Sequence, residues 1–94
     1  MTGIIDGAVA SAKALLRLEG TGEDAVLTRL ARAATGLGES YCGRALGEEW
    51  EAVPAPVAHG IVLLAVHLFE NRTGDAAPPA AVAALWRPYR QVRL

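Results

Sequence analysis

The residues VPAPVAHGIVLLAVHLFENR, at positions 53–72, decide the fold of this chain. Their two prolines suit the first turn of a helix, and residues 57–69 contain no charged side chain. A helix of that composition is apolar nearly all round, which is typical of a helix buried on several sides. We therefore predict a central helix over residues 57–69. In so small a chain, we expect neighbouring subunits to help cover it.

Three further helices are predicted around this one, each separated from the next by glycine or proline. Apolar residues recur at helical spacing in residues 7–16 and again over the longer segment 22–42. Residues 80–86 form a short helix between two proline signals. The predicted fold is all-α: a small four-helix domain at residues 1–88 with an extended C-terminal tail at residues 89–94.

The second helix shows the clearest division into a buried and an exposed face. Thr21 is predicted to cap its N-terminus, and Gly43 its C-terminus in a left-handed conformation. Gly36 and Gly38 should each cost about 1 kcal/mol relative to alanine, unless close packing compensates. The predicted buried face consists of Leu27, Leu30, Ala34, Leu37 and Tyr41.

An acidic connector joins the second and third helices. Residues 49–52 fit either a turn or one short strand, and the carboxylates of Glu48, Glu49 and Glu51 fit a solvated loop. After the third helix, Gly74 is predicted to act as its C-terminal cap.

The composition fits one small domain and excludes several classes of protein. The chain has 94 residues, of which 52 % are hydrophobic but only 5 % aromatic, so its own core is thin. The formal net charge of −1 gives no overall attraction to nucleic acid or to an acidic membrane. A single cysteine excludes an internal disulfide and a cysteine-based zinc site. With no secretory signal and no membrane span predicted, we expect a soluble protein made in the cytoplasm.

No set of residues predicts an enzyme, a metal site or a cofactor site. His59 and His67 are eight positions apart, about 80° around a helix, and so do not form the i, i+4 pair that binds metal. Cys42 falls in the last turn of a helix, where the dipole disfavours a reactive thiolate. We interpret the chain as non-enzymatic.

A small helical DNA-binding or regulatory protein is the alternative interpretation. A recognition helix should present Arg, Lys, Asn or Gln on an exposed face. The third helix has none, and the second offers only Arg29 and Arg32, which are too few for specific reading. This pattern favours assembly with another protein over sequence-specific DNA binding.

The C-terminal nine residues carry two large aromatics and three arginines, the residue types that contribute most to protein interfaces. Trp86 either folds back onto the second and third helices or contacts a partner. Residues 90–94 are short and terminal and cannot form a core of their own. We therefore predict that this segment docks on a partner protein.

Several blocks, in order along the chain, resemble one known family. They are ALLRL at 14–18, Glu23-Asp24, ESYCGRAL at 39–46, the helix 53–72, and LWRPYR at 85–90. Together they resemble the small head–tail connector (adaptor) proteins of long-tailed phages, including those of gene transfer agents. Relatives often carry a longer, strand-forming insertion between the second and third helices, so the contacts of that insertion are not carried over.

The resemblance implies a virion structural protein, made in the bacterial cytoplasm and placed at the head–tail junction of a phage or gene-transfer particle. It implies a ring of identical subunits, typically about twelve, seated on the portal protein. DNA would pass through the ring without sequence-specific binding, and a tail-side stopper or terminator protein would contact the far side.

Three groups of residues follow from these interpretations. The portal-docking residues are Trp86, Arg87, Tyr89, Arg90, Val92, Arg93 and Leu94. The subunit-packing residues are Ile61, Val62, Ala65, Val66 and Phe69. The channel-lining residues are Glu48, Glu49 and Glu51, whose charge would keep DNA from adhering to the wall.

Overall fold

The apolar helix α3, Ala55–Glu70, forms the centre of the structure. The computed structural model describes residues 2–72 and 77–90. Around α3 pack α1 (Ile4–Leu16), α2 (Asp24–Cys42) and the short α4 (Ala80–Trp86). Over the described ranges these four helices account for the architecture with no strand, which confirms the predicted all-α fold.

The chain covers α3 with its own helices. Val57, Ile61 and Ala65 are completely buried, because α1, α2 and α4 each contact a different side of α3. The pattern of residues 57–69 therefore predicted the burial of α3 correctly. The cover of these three residues comes from within the chain, whereas Leu63, Val66, Leu68 and Phe69 are only partly buried.

The C-terminal ends of α1 and α2 fall where they were predicted, and the N-cap of α2 differs. Helix α1 ends at Leu16, where Arg17 adopts the left-handed conformation at φ 58°. The N-cap of α2 is Glu23, without a side-chain hydrogen bond, so the prediction of Thr21 as cap is wrong. The C-terminal prediction is confirmed, since Gly43 is left-handed at φ 77° and donates its N–H to the carbonyl of Glu39.

The buried face of α2 is rotated from the predicted one. Leu27 and Ala34 are fully buried as predicted, but Leu37 is 53 % exposed. The buried line runs instead through Gly38, where a Cβ would lie 3.3 Å from Cζ2 of Trp86. Gly38 faces α4 because a larger side chain at this position would take the space of the Trp86 indole.

The acidic connector forms a 3₁₀ turn at Trp50–Ala52, in agreement with the first of its two predicted forms. It is tied to the N-terminal residues, since Trp50 donates its N–H to the Thr2 carbonyl at 2.8 Å and Ile4 donates to the Glu48 carbonyl at 3.2 Å. The Trp50 side chain packs directly on Gly7, where a Cβ would lie 2.7 Å from that of Trp50. The predicted cap Gly74 lies outside the described residues.

Candidate functional site

The indole of Trp86 is part of the core. It is 4 % exposed, and its Nε1–H donates to the Val57 carbonyl at 3.1 Å. Its ring fills the space beside Gly60, where a Cβ would lie 2.9 Å from Cδ1 of Trp86. This corrects the expectation that Trp86 reaches a partner, because its ring folds back onto α2 and α3.

Residues 87–90 remain close to the domain. Arg87–Tyr89 form a 3₁₀ turn, and Tyr89 is half-buried against the core. The side chain of Arg90 is exposed, with its guanidinium carbon 5.3 Å from the centroid of the Tyr41 ring. That separation is typical of a cation–π contact. The other three predicted docking residues, Val92, Arg93 and Leu94, lie outside the described residues.

The five predicted subunit-packing residues on α3 differ in accessibility. Ile61 and Ala65 are fully buried and Val62 is 6 % exposed, so the monomer itself leaves almost none of their surface to a neighbour. Val66 and Phe69 are half-buried. The Phe69 ring is further covered by Arg72, whose guanidinium carbon lies 4.4 Å from the ring centroid.

The acidic connector places its three carboxylates at the surface. Glu48, Glu49 and Glu51 are all exposed. Glu51 Oε1 accepts a hydrogen bond from the Thr2 N–H at 3.1 Å. Backbone hydrogen bonds, from its own amide first and then from Thr2, lower the pKa of the Glu51 carboxyl. The acidic connector between α2 and α3 is thus negatively charged at neutral pH, and it is fixed to the residues at the start of α1.

One apolar surface lies where α1, α3 and the Trp50 turn meet, and is called the Leu15 face. It forms a shallow depression of about 470 Å³. Leu15 is 53 % exposed on it. The lining residues are Ser11, Ala14, Leu15, Trp50, Ala58, His59 and Val62.

A second apolar surface lies between α2 and α4, and is called the Leu37 groove. Its volume is about 300 Å³, and Leu37 is 53 % exposed at its edge. The lining residues are Leu37, Tyr41, Leu64, Pro78, Pro79, Ala80, Val82, Ala83 and Trp86. Sequence reasoning missed this groove because it assigned Leu37 to the core.

The two surfaces lie on opposite sides of α3. Val62 lines the Leu15 face and Leu64 lines the Leu37 groove. Two positions along an α-helix are about 160° apart around its axis. The subunit therefore presents two different apolar surfaces in nearly opposite directions.

The arginines considered for DNA binding lie in a mixed electrostatic setting. Both Arg29 and Arg32 are exposed on α2, and Arg32 lines a cleft together with Asp6 and Glu48. Carboxylates close to a guanidinium reduce its attraction for phosphate. This surface does not form the basic stripe that duplex DNA requires.

The candidate catalytic residues are separated from one another. Cys42 is buried, and burial raises the pKa of its thiol despite the opposing charge of Arg44. His59 lies on the Leu15 face, whereas Nδ1 of His67 is 3.3 Å from the side-chain nitrogen of Asn71. Among residues 2–72 and 77–90, no cluster of His, Cys, Asp and Glu is suited to a metal ion, and no helix could cross a membrane.

Comparison with known families identifies the family of this chain. The sequence profile of the Phage gp6-like head-tail connector proteins matches residues 8–78, well over half of the chain. The chain belongs to this family. The matched part of the chain runs from Ala8 in α1 to beyond the end of α3. Helix α4 and the C-terminal segment lie outside it. No curated protein and no solved structure matches the connector.

Membership of this family confirms the resemblance seen in the sequence. The connector is a structural protein of the phage particle, and it assembles with components of the head and the tail. Such a role depends on docking surfaces and not on a catalytic centre. The Leu15 face, the Leu37 groove and residues 87–90 are described parts of the molecule that suit it.

Proposed function

We propose that the connector forms a ring, of typically about twelve copies, between the portal and the tail-side proteins. The opposite placement of the Leu15 face and the Leu37 groove carries this proposal. A contact between two different patches, repeated from copy to copy, closes into a ring when the rotation between copies divides a full turn. The site of action is the head–tail junction of a phage or a gene transfer agent, with DNA passing through the centre.

Portal docking is assigned to the C-terminal segment. Arg87 and Arg90 are exposed, and the buried indole of Trp86 anchors the start of the segment to the core. Arginine and tyrosine are favoured at protein interfaces. A weak contact repeated around a ring becomes strong by multivalency. The proposed docking residues are Arg87, Tyr89, Arg90, Val92, Arg93 and Leu94.

The acidic connector is proposed to face the DNA channel. Three exposed carboxylates at Glu48, Glu49 and Glu51 would repeat around a ring. Negative charge repels the phosphate backbone, which lets DNA slide without adhering. Their exposure supports this role, and it also suits the rim of a subunit contact.

A truncation tests the portal-docking role. Deletion of residues 90–94 removes Arg90, Val92, Arg93 and Leu94 and leaves Trp86 in the core. We expect an unchanged helical circular dichroism spectrum, and loss of the protein from purified particles in a complementation assay.

Arg29→Ala is the matched control, since it removes an exposed arginine on α2 that is distant in sequence from the segment. This variant should enter particles normally. Normal incorporation of the truncated protein would show that the portal is contacted by another surface.

A further inference from the structure

The Leu15 face and the Leu37 groove each leave one leucine half exposed. Leu15 and Leu37 are the most exposed large hydrophobics of the described residues, at 53 % each. An exposed leucine beside a depression suits contact with another protein chain. The charges around the two surfaces indicate which chain.

The rim of the Leu15 face is acidic. Trp50 lines this face, and its chain neighbours Glu49 and Glu51 are both exposed. Their Cα atoms are about 3.8 Å from that of Trp50, so the Trp50 turn brings negative charge to this end of the face.

The rim of the Leu37 groove is basic. Tyr41 lines the groove, and the Arg90 guanidinium lies 5.3 Å from its ring centroid. Arg87, next to the groove residue Trp86, is also exposed. The two surfaces thus match in both respects: each is apolar with a protruding leucine, and their rims carry opposite charge.

We propose that the Leu15 face of one copy docks into the Leu37 groove of the next, with Glu49 opposite Arg90 across the contact. This inference rests on the proposed ring and assigns its contact. It replaces the buried residues Ile61 and Ala65 of α3 as the packing surface between copies.

The geometry of the two surfaces suits a large ring. In a ring of twelve copies, each copy turns by only about 30° relative to the last, so its two contact surfaces must point in nearly opposite directions. The separation of about 160° between Val62 and Leu64 around α3 meets this requirement. In this arrangement Arg90 belongs to the contact between copies, and portal docking is left to the other proposed residues of the C-terminal segment.

Cysteine cross-linking tests the contact in the portal-bound assembly. In a Cys42→Ala background, the double variant Leu15→Cys/Leu37→Cys should form a ladder of disulfide-linked oligomers under mild oxidation. Each single variant should remain monomeric on a denaturing gel, and a mixture of the two singles should give dimers and nothing larger. Leu15→Cys/Val26→Cys is the control, because Val26 is exposed but lines neither surface.

Three results would overturn the contact. The first is cross-linking of Leu15→Cys alone, which would indicate a symmetric pair. The second is an equally strong ladder from the control variant. The third is the absence of a ladder from a complex that has the mass of a ring. If the wild-type protein gives no ring with the portal, the proposed ring fails together with the contact. A ring mass without a ladder overturns the contact alone.

Charge reversal provides an independent readout. Glu49→Arg and Arg90→Glu should each weaken assembly of the ring by about tenfold, and the double variant should recover most of that loss. Arg29→Glu, on an exposed position outside both surfaces, should have no effect. Failure of the double variant to recover would contradict the pairing, since a loss of portal docking at Arg90 would not be repaired by Glu49→Arg.

Discussion

At the scale of single residues, both tryptophans are positioned by glycines in the helices that face them. Trp50 packs on Gly7 of α1, and Trp86 packs on Gly60 of α3 and Gly38 of α2. The Trp86 ring is buried in the core, and the Trp50 ring is partly buried against it. Glycine costs helix stability, but here its missing side chain makes space for a large apolar one.

Gly60→Ala should destabilise the domain. The added methyl group would overlap the Trp86 ring, and overpacking of this kind costs about 1–3 kcal/mol. The matched control is Gly36→Ala, since Gly36 is exposed in α2 and a Cβ added there would meet only open space. That control should gain about 0.5–1 kcal/mol from helix propensity. Urea unfolding of both variants measures the difference, and equal stability of the two would contradict the packing described.

Cys42 should be unreactive in the folded protein. It is fully buried, and burial raises the pKa of its thiol, so little thiolate is available. We expect alkylation of the native protein to be at least about a hundredfold slower than alkylation of the unfolded chain, because reaction requires local opening. Leu37→Cys in a Cys42→Ala background is the exposed comparison on the same helix. Equal rates for the two cysteines would show that Cys42 is accessible.

Glu51 should contribute to stability in a pH-dependent way. Hydrogen bonds from backbone amides lower the pKa of its carboxyl in the folded state. A lowered folded pKa stabilises the protein above the unfolded value, about 4.3, and this contribution is lost as the pH falls through the folded pKa. The free energy of unfolding of Glu51→Gln should therefore fall less than that of the wild type between about pH 6 and pH 3.

Glu49→Gln is the control for this pH dependence. It removes a carboxylate from the same acidic segment between α2 and α3, and it keeps the hydrogen bond from Thr2 to Glu51. Its unfolding free energy should fall with acid by more than that of Glu51→Gln, since the Glu51 hydrogen bonds are retained. An identical acid response of all three proteins would contradict the role of the Glu51 hydrogen bonds.

At the scale of secondary structure, α4 is short but completes the core. Its seven residues would be marginal as an isolated helix. The helix is held by the burial of Val82 and Trp86 and by the hydrogen bond from Trp86 to the Val57 carbonyl. The stability of α4 is thus tertiary in origin.

Two truncations separate α4 from the residues that follow it. Deletion of residues 90–94 should leave the melting temperature within a few degrees of wild type, since Trp86 and the rest of α4 stay in place. Deletion of residues 80–94 removes Trp86 from the core and should cost at least about 3–5 kcal/mol, enough to unfold so small a domain at room temperature. Thermal unfolding followed by circular dichroism distinguishes them, and similar stability of both truncations would refute this role of α4.

The helices could be predicted from the sequence because proline, glycine and apolar periodicity all act locally. The start of α3 after Pro54 and the extent of α4 at residues 80–86 follow from such signals. The exposure of Leu37 and the burial of Trp86 could not be predicted in this way. They depend on which residues of α2, α3 and α4 meet in space, in particular on Gly38 and Gly60 opposite the indole.

The candidate site was predictable in part for the same reason. The exposure of Glu49 and Arg90 could be predicted, because charged residues in a loop or a terminal segment are almost always exposed to solvent. The Leu15 face and the Leu37 groove were missed, because an apolar residue at helical spacing looks the same whether it faces the core or a partner.

At the scale of the whole molecule, the subunit combines an independent core with surfaces for assembly. Its Cα atoms extend 45 × 35 × 17 Å, so the domain is flat and many apolar side chains lie near its surface. Two apolar surfaces on opposite sides of α3 and an anchored C-terminal segment are what a subunit of a ring on a portal requires.

The mass of the purified protein in solution, measured by light scattering with and without the portal protein, tests this account most directly. We predict that adding portal produces a complex heavier than the portal by about 120 kDa, the mass of twelve subunits of 9.8 kDa each. A protein that stays monomeric and leaves the mass of the portal unchanged would contradict the account, and would make salt-dependent binding to duplex DNA the next property to measure.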